Sequence, residues 1–294
     1  MAVDTQLQGA ICMLTVSLGI LGNIPVILSI FRKRSLLKNN HYYLILHLAI
    51  CDFLYLFLFT PVIYSTLNAS PMITSSSYLL CKIWWPAHTV VFTAGGHFLV
   101  LISILRYRAI VHPLKPPVRR STLKILSTFV YVLAIIYIIP YVLVLELNGS
   151  CEEEWPVESL SIVYTVFLIG IQYFIPVVIL SIIYYKICRR LIARNNTMKT
   201  MDARNQTGQK NSRTSFKDIR NIKTFFVSFT IVACFTVSAC PMQVMWIVAA
   251  SSSSPSIPLG FYALTMFGTS VINPYVYGAL DMKVFSFFKP CRKR

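Results

Sequence analysis

The stretch SILRYRAIVHPL, Ser103 to Leu114, decides how the rest of the chain is read. It closes a long apolar segment and opens a basic one, with Arg106-Tyr107 at the changeover. An apolar run that ends in arginine reads as a helix leaving a hydrocarbon layer on the cytoplasmic side. The arginine–tyrosine pair then stands where a soluble partner can reach it.

Working outward, the same pattern recurs. The chain has 294 residues, of which 56% are hydrophobic and 13% charged. A soluble domain would carry about one quarter charged residues. Apolar windows fall near 8–31, 42–64, 80–105, 123–145, 160–188, 222–250 and 258–280. Each is long enough to cross a layer of roughly 30 Å as a helix. They are too long and continuous for membrane strands of about ten alternating residues. The expected fold is therefore an all-α membrane protein, a seven-helix bundle in a single domain covering residues 1–294. Asp52 and Gln172 interrupt the apolar runs, so those helix faces must meet one another rather than lipid.

Lys and Arg number 27 against 10 Asp and Glu, a net charge of +17. In a soluble chain that excess would suggest nucleic acid. Here it is partitioned by loop. Arg32, Lys33, Arg34 and Lys38 follow span 1, Arg108, Lys115, Arg119 and Arg120 follow span 3, and a basic run from Lys186 to Lys223 follows span 5. Lys289, Arg292, Lys293 and Arg294 end the chain. The alternate loops carry Glu146, Glu152, Glu153, Glu154 and Glu158, with Lys82 as their basic exception. The positive-inside bias places the basic loops and the C-terminus in the cytoplasm and the N-terminus outside, as in a multi-pass plasma-membrane protein. The first apolar run reads as span 1 and not as a cleavable leader.

Cys81 begins span 3 on the outer side and Cys151 lies in the outer loop after span 4. Both face the oxidising compartment, which predicts a disulfide that pins the acidic loop over the bundle. Asn68-Ala-Ser and Asn148-Gly-Ser are glycosylation sequons in outer loops. Pro61, Pro140, Pro176, Pro241 and Pro274 sit inside apolar spans, where they introduce bends. Residues 195–215 read as an irregular inner loop, and 281–288 as a short amphipathic helix on the inner face. Cys291 is a candidate for lipid modification, with an unmodified thiol as the equal reading.

Taken together, these features resemble the rhodopsin-like family of seven-transmembrane G-protein-coupled receptors, along nearly the whole chain. Gly22-Asn23 with Val26, Leu48-Ala-Ile-Cys-Asp52, Cys81 with Trp84, Arg106-Tyr107 with His112-Pro113-Leu114, Pro176 with Tyr184, Phe235 with Pro241, and Asn273-Pro-Tyr-Val-Tyr277 match the family's motifs in order. Four positions depart. Leu105 replaces the acid before the arginine, Ala239 the span-6 tryptophan, and Gly95 the span-3 serine, and the nearest candidate for the span-4 tryptophan is Tyr131.

The resemblance implies that Asp52, Arg106, Tyr107, Tyr184, Phe235, Pro241, Asn273, Pro274 and Tyr277 form the switch. Asn23, Ser270 and Asn273 are the expected partners of Asp52, which is also a candidate weak sodium site lacking the hydroxyl at Gly95. Leu105 leaves Arg106 without its resting acid, which implies raised basal activity. The outer pocket is expected from His88, Phe92, Gln172, Gln243, Trp246 and Phe267; the small Ala239 either deepens it or has its space filled by neighbouring aromatics such as Phe92 and Phe267. Implied partners are a heterotrimeric G protein, arrestin and an extracellular ligand, with sodium and structural lipid or sterol as the candidate small molecules. The acidic loop suits a basic peptide and the apolar interior suits a lipid. Histidine at position 88 argues against a monoamine, and the lack of lysine at position 267 argues against a visual pigment. An atypical receptor that does not couple, or that modulates a partner, is the alternative. A transporter would show polar lining and repeats, and an enzyme a nucleophile–base constellation; neither pattern is found in the spans.

Overall fold

The computed structural model describes residues 2–68, 77–204, 212–250 and 258–280. The expected amphipathic helix at 281–288 and Cys291 lie outside the described residues. The chain is a bundle of long helices: α1 (Ala2–Arg32), a one-turn α2 (Arg34–Leu37), α3 (Asn40–Leu67), α4 (Tyr78–Val111) and α5 (Arg120–Val144). A two-stranded hairpin follows, β1 (Leu145–Leu147) and β2 (Cys151–Glu153). Next come α6 (Glu158–Ile169), running through a π-helical turn at Gly170–Phe174 into α7 (Ile175–Arg204), and α8 (Ser212–Ala250). The last segment is α9 (Leu259–Met266), a second π-helical turn at Phe267–Val271, and α10 (Ile272–Leu280).

Among the described residues, six helical stretches are long and apolar enough to cross a membrane: Gln6–Arg32, Asn40–Leu67, Tyr78–Val111, Arg120–Val144, Ser159–Arg194 and Ser228–Ala250. The chain is a multi-pass, all-α membrane protein. Large apolar side chains such as Leu21, Ile125, Leu143 and Val237 face outward, as expected where the surrounding solvent is hydrocarbon. The expected inner loop over 195–215 is corrected at its two ends: helix α7 continues to Arg204 and α8 begins at Ser212, since a helix leaving the apolar layer satisfies its own backbone hydrogen bonds and need not stop at the interface.

Helix α3 packs on α1 and α4, α4 packs on α5 and α7, and α8 packs on the final segment. The prolines show how the bundle satisfies its backbone. Proline lacks an N–H and clashes with the carbonyl four residues earlier. Pro274 frees the carbonyl of Ser270, which accepts from Asn23 Nδ2 of α1 at 3.0 Å. Pro61 frees the carbonyl of Phe57, which accepts from Thr60 Oγ1 at 2.7 Å. A π-helical turn lies just before each of Pro176 and Pro274, ending at Phe174 and Val271, where a wider turn eases the clash of the ring with the preceding turn. The final segment lies so close to α8 that a Cβ built on Gly268 would stand 1.9 Å from Ser238 Oγ.

Candidate functional site

The site runs down the bundle axis in three layers, starting at the hairpin end. Cys81 of α4 and Cys151 of β2 form the expected disulfide. Strand β2 pairs antiparallel with β1, matching Leu145 to Glu153, Glu146 to Glu152 and Leu147 to Cys151. Side chains alternate along a strand. Cys151 is held toward α4, so Glu153 points the same way and Glu152 points to the other face. Among the described side chains of the acidic cluster, Glu153 alone lines the cavity beneath. Glu152 accepts from Ser150 Oγ and Glu154 from Asn148 Nδ2, so those two tie down the hairpin turn. That turn holds Gly149 at φ +84°, a conformation that suits glycine. Lys82 and Glu146 pair at 3.4 Å beside it. Both sequon residues, Asn68 and Asn148, are exposed.

The cavity has a volume of about 110 Å³. Five of the six expected pocket residues line it: His88, Phe92, Gln172, Gln243 and Trp246. His88 is stacked between Tyr55, 4.3 Å away, and Trp85, 5.3 Å away. Its Nε2 is buried with no hydrogen-bond partner among the described residues. Gln172 is held by its Nε2 donating to Thr93 Oγ1 at 2.8 Å.

Phe267 does not belong to this pocket: it is 47% exposed on the outer side of the final segment. A spacing of four from buried Ala263 would have turned Phe267 inward. The π-helical turn widens the step, so Gly268, Thr269, Ser270 and Val271 take the buried face instead. Nor does the exposed Phe267 fill the space beside Ala239. Ala239 is fully buried in a cluster with Tyr173 and Phe235, and Tyr173 O–H donates to the Thr236 carbonyl at 2.7 Å. The sequence reading also missed Tyr55, Tyr141, Tyr164, Tyr262 and Glu153 in the lining. Tyr55 was accessible as the residue one helical turn from Asp52. Glu153 was hidden behind the unrecognised hairpin.

In the middle layer, Asp52 accepts from Ser270 Oγ at 3.1 Å and from Asn273 Nδ2 at 2.8 Å. Asn23 reaches the same knot through the Ser270 carbonyl rather than by touching Asp52. A small cavity of about 10 Å³ adjoins it, lined by Asp52, Thr269 and Ser270 on one wall and by Val91, Gly95, Gly96 and Leu99 on the other. That is room for about one water. A hard cation needs oxygen ligands around it. With no side chain at Gly95, the second wall offers none, so the donor set does not fit a well-held sodium ion. Phe235 packs across to α4, where a Cβ on Gly96 would lie 3.7 Å from Phe235 Cζ. Tyr131 of α5 stands where the resemblance expects tryptophan. Its hydroxyl is 3.1 Å from His47 Nδ1 and 3.7 Å from Cys51 Sγ.

At the far end, Arg106 Nη2 donates to His41 Nε2 at the start of α3. Arginine has donors only, so this imidazole nitrogen accepts and the ring is neutral. Tyr107 lies edge-on to His112 at 5.4 Å. Tyr184 hydroxyl lies 3.3 Å from Ser103 Oγ, while Tyr277 hydroxyl is buried without a hydrogen-bond partner among the described residues. Pro241 lies inside α8, within two residues of the cavity-lining Gln243.

The chain is a polytopic helical bundle with a disulfide-pinned hairpin over a cavity at one end and an arginine at the other. The family described as 7 transmembrane receptor (rhodopsin family) matches residues 22–277, and the chain belongs to that family. That membership sets enzymes aside. The chain is similar to the human neuropeptide S receptor, with 25% identity over 94% of this chain and 76% of that protein. It is also similar to human prokineticin receptor 2, with 28% identity over 58% of this chain and 47% of that protein. The neuropeptide F receptor of Drosophila melanogaster is 23% identical over 90% of this chain and 57% of its own length.

Proposed function

We propose that this protein is a plasma-membrane receptor that transmits the binding of an extracellular peptide to a heterotrimeric G protein. In this reading Leu259–Leu280 is the seventh crossing, and the hairpin and N-terminus lie outside. Arg106 and Tyr107 face the cytoplasm, where the G protein, and then arrestin, engage. The carrying observation is the cavity under the hairpin, where Glu153, His88, Gln172 and Gln243 are set among aromatic rings. Polar groups spaced along an apolar cavity suit a peptide end better than a lipid chain. The names of the similar proteins, receptors for neuropeptides and prokineticins, point the same way.

Signal passage follows from the layers. A ligand in the cavity presses on residues of α8 beside Pro241, whose bend lets α8 swing. Phe235 then leaves its seat at Gly96, and Arg106 parts from His41 to meet the G protein. Tyr277, with an unsatisfied hydroxyl, gains a partner near Tyr184 in the switched form.

A second reading is favoured by Leu105 and Ala239: a receptor that binds ligand without coupling. Basal activation of a panel of G proteins in cells, corrected for surface expression, separates the two. A basal signal lost in Arg106→Ala supports coupling. Good display with silence across the panel, and with peptide-library stimulation, overturns it in favour of the non-coupling receptor.

A further inference from the structure

The upper wall of the cavity has a composition that the family assignment does not explain. Glu153 is the sole charged residue among those lining the cavity. Its Oε2 accepts from Trp155 Nε1 at 2.6 Å. Trp155 leans on Tyr164 with ring centroids 5.2 Å apart, and Tyr164 stacks parallel on Tyr141 at 6.3 Å. Tyr141 and Tyr164 line the cavity with Glu153. A carboxylate beside aromatic faces is the arrangement that holds an organic cation, by ion pairing at its edge and by attraction to the ring faces. Strand alternation from the disulfide at Cys151 fixes the inward aim of Glu153. The Trp155 indole holds one of its oxygens in place.

A second observation lies on the floor of the same cavity. His88 is buried, and its Nε2 has no partner among the described residues. Leaving a buried polar nitrogen without a bond is unfavourable, and a ligand group that supplies the bond relieves it. Among the described residues no lysine or arginine lines the cavity, so a free carboxylate entering it would face Glu153 with no described cation to neutralise it.

We propose that the cavity is a two-point site for the cationic end of a peptide. A guanidinium or ammonium is clamped by Glu153, Tyr141 and Tyr164, with Trp155 holding the carboxylate from behind, and a neutral polar group is bound by His88. This rests on the reading of the cavity as a peptide site, and it adds which kind of peptide end enters.

The test measures direct binding of small probes to the purified full chain in lipid nanodiscs, so it does not depend on coupling. The probes are arginine amide and Nα-acetylarginine, which keeps the guanidinium but carries a free carboxylate and no free ammonium. Arginine amide is expected to bind the wild type at millimolar concentration, and at least tenfold more tightly than Nα-acetylarginine. Glu153→Gln weakens arginine amide tenfold or more. Glu153→Asp, which keeps the charge, retains most of the affinity, and Glu152→Gln, on the opposite face of the strand, leaves it unchanged. His88→Phe preserves the ring stack, deletes the nitrogen and weakens binding threefold or more. Failure of the wild type to bind, equal binding of the two probes, or equal effects of Glu153→Gln and Glu152→Gln would overturn the cation clamp. Unchanged affinity in His88→Phe would overturn the second point. Either failure leaves the coupling assay to judge the receptor reading independently.

Discussion

Arg106 of α4 donates to His41 at the start of α3, so an imidazole occupies the place left by the missing acid at Leu105. A neutral acceptor still binds a guanidinium, but without the mutual attraction of an ion pair. A hydrogen bond to a charged group contributes about 1.5–3 kcal/mol when shielded. Losing it from the resting form alone shifts the population roughly tenfold or more toward the switched form. His41→Ala is therefore expected to raise basal G-protein activation severalfold. His41→Glu and Leu105→Asp, each supplying a carboxylate, should lower it below wild type. These are read as basal nucleotide exchange at matched surface expression. The same basal level in His41→Ala and wild type would remove His41 from the switch.

Asp52 accepts from two donors, Ser270 and Asn273. In Asp52→Asn, one of those donors faces an NH2 group instead of an oxygen. The mismatch costs about 1–3 kcal/mol in a buried site, and should appear as a clear fall in the thermal stability of the purified receptor. Because the wall at Gly95 offers no oxygen, sodium titration should change ligand affinity by less than about twofold. A strong sodium effect that Asp52→Asn abolishes would show that the layer holds the ion after all.

Six of the expected spans and the Cys81–Cys151 bridge were legible in sequence because each rests on a strong constraint: a hydrocarbon layer demands long apolar runs, and two cysteines on one oxidising face pair. That a buried carboxylate at Asp52 needs donors was also legible, but Ser270 and Asn273 as its partners came from the family resemblance. What escaped the sequence depends on local geometry. The strands Leu145–Leu147 and Cys151–Glu153 are three residues each, too short for an alternating signal to stand out. Phe267 was placed in the pocket by the family resemblance, and the π-helical turn at Phe267–Val271 turns other residues inward instead. The substitute at Arg106 was invisible because His41 lies 65 positions away, on another helix.

Tyr131 links α5 to α3 through His47 and Cys51. Its ring also packs edge-on against Phe98 of α4 at 5.2 Å. Tyr131→Phe keeps the ring contact and removes the hydroxyl. Interhelical hydrogen bonds in membranes contribute roughly 0.6–1.7 kcal/mol, so the variant should unfold a few degrees lower with binding intact. Tyr131→Ala, which also deletes the ring, should lose considerably more stability. Equal melting of the wild type and Tyr131→Phe would mean the hydroxyl contributes nothing to the joint.

Gly268 is a point of close approach between the final segment and α8. A Cβ there would stand 1.9 Å from Ser238 Oγ, 2.3 Å from Ser238 Cβ and 2.8 Å from the Cys234 carbonyl oxygen. Ser238 lies beside Ala239, at the bend set by Pro241, so the two segments cannot separate without disturbing the hinge. Overpacking of this kind typically costs about 1–3 kcal/mol or more. Gly268→Ala should therefore reduce surface display and melting temperature sharply. Ser238→Gly removes two of the three clashing atoms and leaves the Cys234 carbonyl, so the double variant Gly268→Ala with Ser238→Gly should recover part of the loss. Full tolerance of Gly268→Ala on its own would show that the seam between these two segments is looser than the structure describes. A double variant no better than Gly268→Ala would place the obstruction at the backbone of Cys234 rather than at Ser238.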